Sequence, residues 1–248
     1  MDFNLIADQL RLLKLEGMAL AFEGLIALPI QSRPSLEIAV SKMIEQEKRT
    51  QADAKASRLL KAAKLHLPSV LIEDITCSQS RNLTKAELGE LADCSFVRRG
   101  QNLLITGKTG CGKSWLACAI GHQACILGLK TLYFNMSHFI DGLKKSILEG
   151  TKEQLLKKLY RQDLVIFDDF GLQPMDADTR LALLTILEDR YESKSLIITS
   201  QLPLDRWYDY FAEPTLADAI MDRIFATSEH IRLEGESLRD KAKARTKA

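Results

Sequence analysis

The chain has 248 residues, with 34 Lys and Arg against 33 Asp and Glu, a formal net charge of +1 and 46% hydrophobic residues. That length holds one large α/β domain plus a small one, in the composition range of soluble globular proteins. The near-zero charge excludes a uniformly basic surface, so any contact with nucleic acid must come from local patches.

Residues 1–67 read as a small all-helical N-terminal domain. Leu5, Ile6, Leu10 and Leu13 recur at helical spacing, Gly17 breaks the run, and residues 18–28 continue it. Pro29 and Pro34 punctuate the chain, and Ser35 caps a long polar helix that runs towards Leu67, before Pro68. Within that helix Lys55, Arg58 and Lys61 recur every third residue and share one broad face. It is either a DNA contact or the solvated side of an amphipathic helix. Residues 68–95 have no long periodic segment and read as a linker with one short helix, where Thr84-Lys85-Ala86-Glu87 fits a capping box.

Over residues 96–248 strands and helices alternate, the pattern of a parallel sheet covered on both faces. Five strands are expected at 102–106, 130–135, 163–168, 195–200 and 230–233. Helices are expected at 115–127, at 137–149, after a capping box at Thr151-Lys152-Glu153-Gln154, and at 178–191 with Leu181, Leu184 and Leu187 on one face. A last helix opens with the capping pattern Thr215-Leu216-Ala217-Asp218. The basic tail 241–248 reads as disordered. No apolar run reaches the roughly 20 residues of a membrane helix, and the N-terminus lacks a signal-peptide layout. The five cysteines are odd in number and form no C-x-x-C pair. A cytoplasmic protein without disulfides, zinc or membrane contact is therefore expected.

The chemistry concentrates at the strand ends. Gly107-Lys108-Thr109-Gly110-Cys111-Gly112-Lys113-Ser114 fits G-x-x-x-x-G-K-[ST], with a strand before it and a helix after it. In such a loop the N–H groups and the helix N-terminus wrap phosphates, Lys113 reaches the β- and γ-phosphates, and the Ser114 hydroxyl ligates Mg²⁺. About fifty residues on, Leu164-Val165-Ile166-Phe167 leads into Asp168-Asp169. Alternation along a strand gives Asp168 the Mg²⁺ role and aims Asp169 at the attacking water. Ser195 to Gln201 is another buried strand; if it lies between the other two, Gln201 can meet the γ-phosphate or the attacking water, and otherwise it is a turn residue at the strand end. Arg223 falls beside Leu216 and Ile220 on its helix. It either pairs with a nearby carboxylate or leaves the protomer for a neighbour's nucleotide.

With these elements in register, the chain resembles the AAA+ ATPases of the initiator and helicase-loader branch. It is most similar to the IstB transposition helpers of bacterial insertion sequences, with DnaC-type helicase loaders next. The resemblance rests on the 10–18 stretch, Leu60 to Lys64, the phosphate loop, residues 163–171, Arg190-Tyr191, Ile198 to Gln201 with Trp207, Ala219 to Arg223, and Gly235 to Arg239. It implies an α/β P-loop AAA+ fold with a five-stranded parallel sheet, and an ATPase that uses ATP and Mg²⁺. About fifteen residues follow the last expected strand, too few for the helical lid typical of AAA+ proteins, so no C-terminal helical lid is expected. By position the resemblance makes Lys113 and Ser114 Walker A residues, Asp168 and Asp169 the Walker B pair, and Gln201 the first sensor. Arg223 becomes the arginine finger that reaches the adjoining subunit's ATP, and Arg239 a second sensing arginine. The 137–160 helices fall where that branch carries its helical insertion. The implied partners are duplex DNA, a homo-oligomer (filament or ring) and the transposase of the same insertion sequence. The alternatives are a DnaC-like loader of a replicative helicase, a small-molecule kinase, and a nucleotide-gated scaffold. One departure is Asp169, where many AAA+ proteins carry Glu; the side chain is one methylene shorter, which bears on hydrolysis rather than on binding.

Overall fold

A computed structural model describes residues 3–238. The chain divides into two compact units between Arg58 and Leu59. The first contains α1 (Phe3–Leu12), α2 (Glu16–Ala27) and most of α3 (Leu36–Ala63). The break between α1 and α2 comes at Lys14, whose φ is +61°, and not at Gly17. Gly17 lies inside α2, where a Cβ would sit 2.6 Å from the Gln46 carbonyl oxygen and the Glu47 Cα. It is glycine so that α2 can cross α3 closely. Glu47 is buried at that crossing and accepts the Met18 N–H at 3.0 Å and the Gln51 amide at 2.8 Å. The Met18 N–H, first among these, holds the Glu47 carboxyl below its ordinary range. A carboxylate from α3 thereby caps the positive end of α2. α3 stops at Ala63, earlier than expected, because Lys64 turns into the left-handed region at φ +52°.

The second unit is built on a five-stranded, wholly parallel sheet: β1 (Asn102–Gly107), β2 (Thr131–Asn135), β3 (Leu164–Phe170), β4 (Ser195–Ser200) and β5 (Ser228–Leu233). Its order is β2-β3-β4-β1-β5, so β4 does lie between β1 and β3. Helices cover both faces. On one side are α4 (Lys85–Ala92), α5 (Ser95–Arg98) and α6 (Lys113–Ile126). On the other are α7 (Met136–Leu148), α8 (Lys152–Tyr160), α9 (Ala177–Arg190), α10 (Trp207–Phe211) and α11 (Pro214–Phe225). Residues 68–95, expected as a linker, instead supply Val70, Ile75, Leu83, Leu88 and Leu91 to the core beneath α6. Among the described residues no helix is long and apolar enough to cross a membrane. The five cysteines are free thiols, and burial pushes the Cys94 thiol up to about 12 and the Cys118 thiol up to about 11.

The capping patterns divide. At Thr84 the reciprocal bonds form, with Glu87 N–H donating to Thr84 Oγ1 at 3.2 Å and Thr84 N–H to Glu87 at 2.8 Å. Thr151 makes no side-chain cap bond. For α11 the cap is Glu213, which accepts the Leu216 N–H at 2.8 Å; Pro214 takes the first helical position, leaving Thr215 inside. α9 starts earlier than expected, because Asp176 caps it through the Thr179 N–H at 2.9 Å. Its core face is Ala182, Leu183, Ile186 and Leu187, whereas Leu181 is 48% exposed. Of the expected face, Leu187 is buried and Leu184 packs partly buried against the same core, so only Leu181, at the edge of that stripe, turns outward.

Arg190 fastens the sheet at the ends opposite the phosphate loop. It is 2% exposed and donates to the carbonyls of Leu159 (2.8 Å), Gln162 (3.1 Å), Asp163 (3.3 Å) and Ser195 (2.7 Å). Burial pulls the guanidinium down to about 10, against the nearby Asp163 carboxylate. Arg190→Met would leave those acceptors unpaired. It should lower unfolding free energy by about 3 kcal/mol in chemical denaturation; an unchanged midpoint would show that the carbonyls find other donors.

Candidate nucleotide-binding site

Gly107 to Ser114 connects β1 to α6 in the strand–loop–helix form that its spacing predicts. Gly107, Gly110 and Gly112 have φ of +151°, +83° and +96°, and at Gly107 a Cβ would lie 2.3 Å from the Leu233 carbonyl oxygen. Only glycine lets the loop curl this tightly against β5. Lys113 is 5% exposed, and its ammonium donates to the loop carbonyls of Gly107 at 2.9 Å and Lys108 at 3.0 Å. The cation is therefore held over the concave side of the loop, at the N-terminus of a 14-residue helix, where anions are favoured.

Strand order brings the other groups to this loop. Tyr133 on β2, Asp168 on β3 and Thr199 on β4 all face α6, since they continue the alternate positions that bury Ile166 and Ile197 on that side. Asp168, 2% exposed, accepts from Ser114 Oγ at 2.9 Å, from the Thr199 hydroxyl, and from the Tyr133 phenol at 2.6 Å. Desolvation first, and this carboxylate second, push the Tyr133 phenol well above its ordinary range.

The next residue departs from simple alternation. A bulge between Phe167 and Phe170 shifts the β3–β4 register and leaves Asp169 at φ +60°, in the left-handed region that aspartate tolerates better than most residues. Its N–H donates to Thr199 Oγ1 at 3.1 Å, and its carboxylate accepts from Asn135 Nδ2 at 3.2 Å. Gln201, just past β4, accepts the Thr109 hydroxyl at 2.6 Å, which ties this strand end to the phosphate loop.

Two further segments border the loop. After β5 the chain crosses it, with Leu238 N–H donating to the Gly110 carbonyl at 3.0 Å. Arg81 donates to the Cys111 carbonyl at 2.8 Å. Together with Asp74, Ile75, Leu83, Trp115 and Leu116 they line a cavity of about 200 Å³ beside Gly112. A larger cleft of about 1110 Å³ opens on the other side, between Thr109, Gln201, Leu204, His230 and Arg232.

Of the expected site residues, 107–114, Asp168, Asp169 and Gln201 come together. Arg223 does not join them: it pairs with Glu188 on α9 at 3.0 Å and donates to the Ala219 carbonyl at 3.1 Å, remaining 31% exposed. Arg239 lies outside the described residues. Tyr133, Asn135, Thr199 and Arg81 escape a motif-based reading. For the first three the one trace in the sequence is a polar side chain at or near a strand end, which means nothing until strand order is known; Arg81 lies in the irregular 68–84 stretch and leaves no trace. For a divalent cation, the Ser114 hydroxyl and the Asp168 carboxylate lie side by side. No cluster of three or more His, Cys, Asp or Glu among the described residues could hold a metal by itself. That donor set suits Mg²⁺, which keeps waters and completes its shell with substrate phosphates.

The family described as IstB-like ATP binding protein matches residues 8–246, and the chain belongs to it. An insertion sequence ATP-binding protein of Sinorhizobium fredii is 38% identical over 232 residues, 94% of each chain. The IS21 ATP-binding protein of Pseudomonas aeruginosa is 29% identical over 93% of this chain and 87% of its own. Among solved structures, the DnaC helicase loader superposes with a TM-score of 0.52 at 22% identity, over 66% of this chain and 97% of that one. AMPPCP-bound DnaA from Aquifex aeolicus gives 0.57 at 20% identity, over 74% and 56%. These likenesses bear out the AAA+ fold, and with family membership the expectation of an ATP-dependent enzyme holds. Because the Lys113 ammonium touches only its own loop, Lys113→Ala should fold normally and lose about 100-fold in ATP affinity, the scale of two charge-assisted hydrogen bonds. Wild-type affinity in calorimetry would contradict the placement.

Proposed function

We propose that this IstB-like ATP-binding protein is a DNA-dependent ATPase that self-assembles on duplex DNA and presents the target site to a transposase. The observation that carries the reading is the convergence of Lys113, Ser114, Asp168 and Gln201 on one loop while Arg223 stays at the protomer surface. In this reading the loop N–H groups and Lys113 bind the triphosphate, and the base enters the cavity beside Gly112. Ser114 and Asp168 hold Mg²⁺, which when bound neutralises phosphate charge. Asp169, held by Asn135, orients the attacking water, and Gln201 senses the γ-phosphate.

Each protomer would then lack one group, a cation opposite the transferring phosphoryl. Arg223 suits that role towards a neighbour. Its ion pair with Glu188 is half-exposed, and such pairs are worth about 0–1 kcal/mol, so a neighbour's phosphate can compete for it. An arginine supplied in this way accelerates related reactions by about 10³–10⁵. Turnover per protomer should therefore rise with protein concentration and with DNA, and Arg223→Ala should reduce it by about 10³ without weakening ATP binding. Concentration-independent turnover, indifferent to Arg223→Ala, would refute the assembly.

For DNA, support comes from the exposed α3 residues Lys55, Arg58 and Lys61. Further basic residues on α7 and α8 are weaker candidates. Lys144, Lys145 and Lys157 already pair with Asp176 (3.1 Å), Glu149 (3.7 Å) and Glu153 (3.5 Å), while Lys158 lines a cleft with His138 and Gln154. Three phosphate contacts imply a log–log salt slope of about −2.7. Replacing Lys55, Arg58 and Lys61 by alanine should flatten the measured slope by about that amount. A slope that does not change would place the DNA elsewhere. Recruitment of a transposase is inferred from the insertion-sequence names of the relatives.

A further inference from the structure

Asp168 is fixed by three hydroxyls, and two of them, those of Thr199 and Tyr133, have no place in the nucleotide chemistry described above. Ser114 and Thr199 both reach Oδ1, whereas Tyr133 alone takes Oδ2, at 2.6 Å. A carboxylate at the tip of a strand rotates freely, because its terminal torsion is broad and roughly twofold. Mg²⁺ is exacting by contrast, with near-ideal octahedral geometry at short distances. With Oδ2 held by the phenol and Oδ1 by Thr199, the carboxylate cannot turn, and Oδ1 stays beside the Ser114 hydroxyl.

The anchor itself is rigid. Tyr133 is 9% exposed, lies in the apolar layer beneath α6, and has its ring stacked 6.3 Å from that of His66. β2 pairs with β3 in a register that sets Tyr133 opposite Ile166 and Asn135 opposite Asp168, so the phenol reaches up one strand step to the carboxylate. A buried tyrosine needs some acceptor, but a main-chain carbonyl would serve for that. Here the acceptor is the carboxylate beside Ser114.

We propose that Tyr133 is a positioning residue for the divalent cation, orienting the Asp168 carboxylate so that Oδ1 and the Ser114 hydroxyl form one side of its binding site. This rests on the Mg²⁺–ATP reading above. Tyr133 touches neither nucleotide nor cation and acts only through Asp168.

The test is Tyr133→Phe, which keeps the ring and removes the donor. Manganese titration followed by electron paramagnetic resonance, at fixed ATP, should show the half-saturating cation concentration raised about tenfold, the scale of one hydrogen bond to a charged group. ATP binding in the presence of a chelator should not change. Unaltered manganese affinity would overturn the proposal. So would an equal loss of metal-free ATP binding, since Tyr133 would then merely support the packing. Ser114→Ala separates the two levels. If it weakens manganese binding and Tyr133→Phe does not, only the role of Tyr133 falls; if neither does, the cation site itself is wrong.

Discussion

The buried carboxylate of Asp168 is the constraint on which the site depends. An ionised group at 2% exposure is costly unless hydrogen-bonded, and this one is satisfied by hydroxyls from β2, β4 and the start of α6. Those three elements meet only if β4 is inserted between β1 and β3 and β2 lies outside β3. Moving any strand by one residue would turn its hydroxyl to the opposite face of the sheet. The apolar layers hold the register, and the register assembles the polar site.

Much of this was legible from local pattern. The phosphate loop, the apolar run before Asp168-Asp169 and the run before Gln201 mark three strands whose ends carry chemistry, and all five expected strands form. What escaped depends on tertiary context. Tyr133, Asn135 and Thr199 become site residues through cross-strand neighbours that no spacing along the chain reveals. The bulge at Asp169 could not be inferred either: strict alternation sends adjacent carboxylates to opposite faces, and the positive φ instead turns Asp169 towards Asn135. Residues 68–84 lack periodicity because they pack largely as irregular chain ahead of α4, yet Val70, Ile75 and Leu83 are core residues. The caps at Thr151 and Thr215 failed for different reasons. Thr151 does hold the N-cap position of α8, but its backbone (φ −106°, ψ 10°) is not extended and its hydroxyl donates to the Ser146 carbonyl, whereas Pro214 starts α11 ahead of Thr215.

The proposed mechanism divides the work between a rigid part and a part that is cheap to move. Lys113, Asp168 and Thr199 are buried and Ser114 is half-buried; Ser114 and Thr199 both bond Asp168, and Lys113 bonds its own loop, which suits groups that must meet a charged ligand without rearrangement. Arg223 is different. It is about one-third exposed and bonded to a half-exposed Glu188, so its departure towards a neighbour has little energetic cost. Nucleotide binding then belongs to the protomer, and hydrolysis to the contact between protomers. The shorter Asp169 fits an enzyme in which ATP marks an assembled state and turnover ends it.

That division is tested most directly by mixing two inactive variants. Lys113→Ala protomers lack the phosphate-binding cation but keep Arg223; Arg223→Ala protomers bind ATP but lack the arginine. On duplex DNA each alone should be nearly silent, and an equimolar mixture should recover a substantial part of wild-type ATP hydrolysis, because each Arg223→Ala site can borrow an arginine from a Lys113→Ala neighbour. A mixture that co-assembles on DNA yet hydrolyses no more than its components would contradict the shared site.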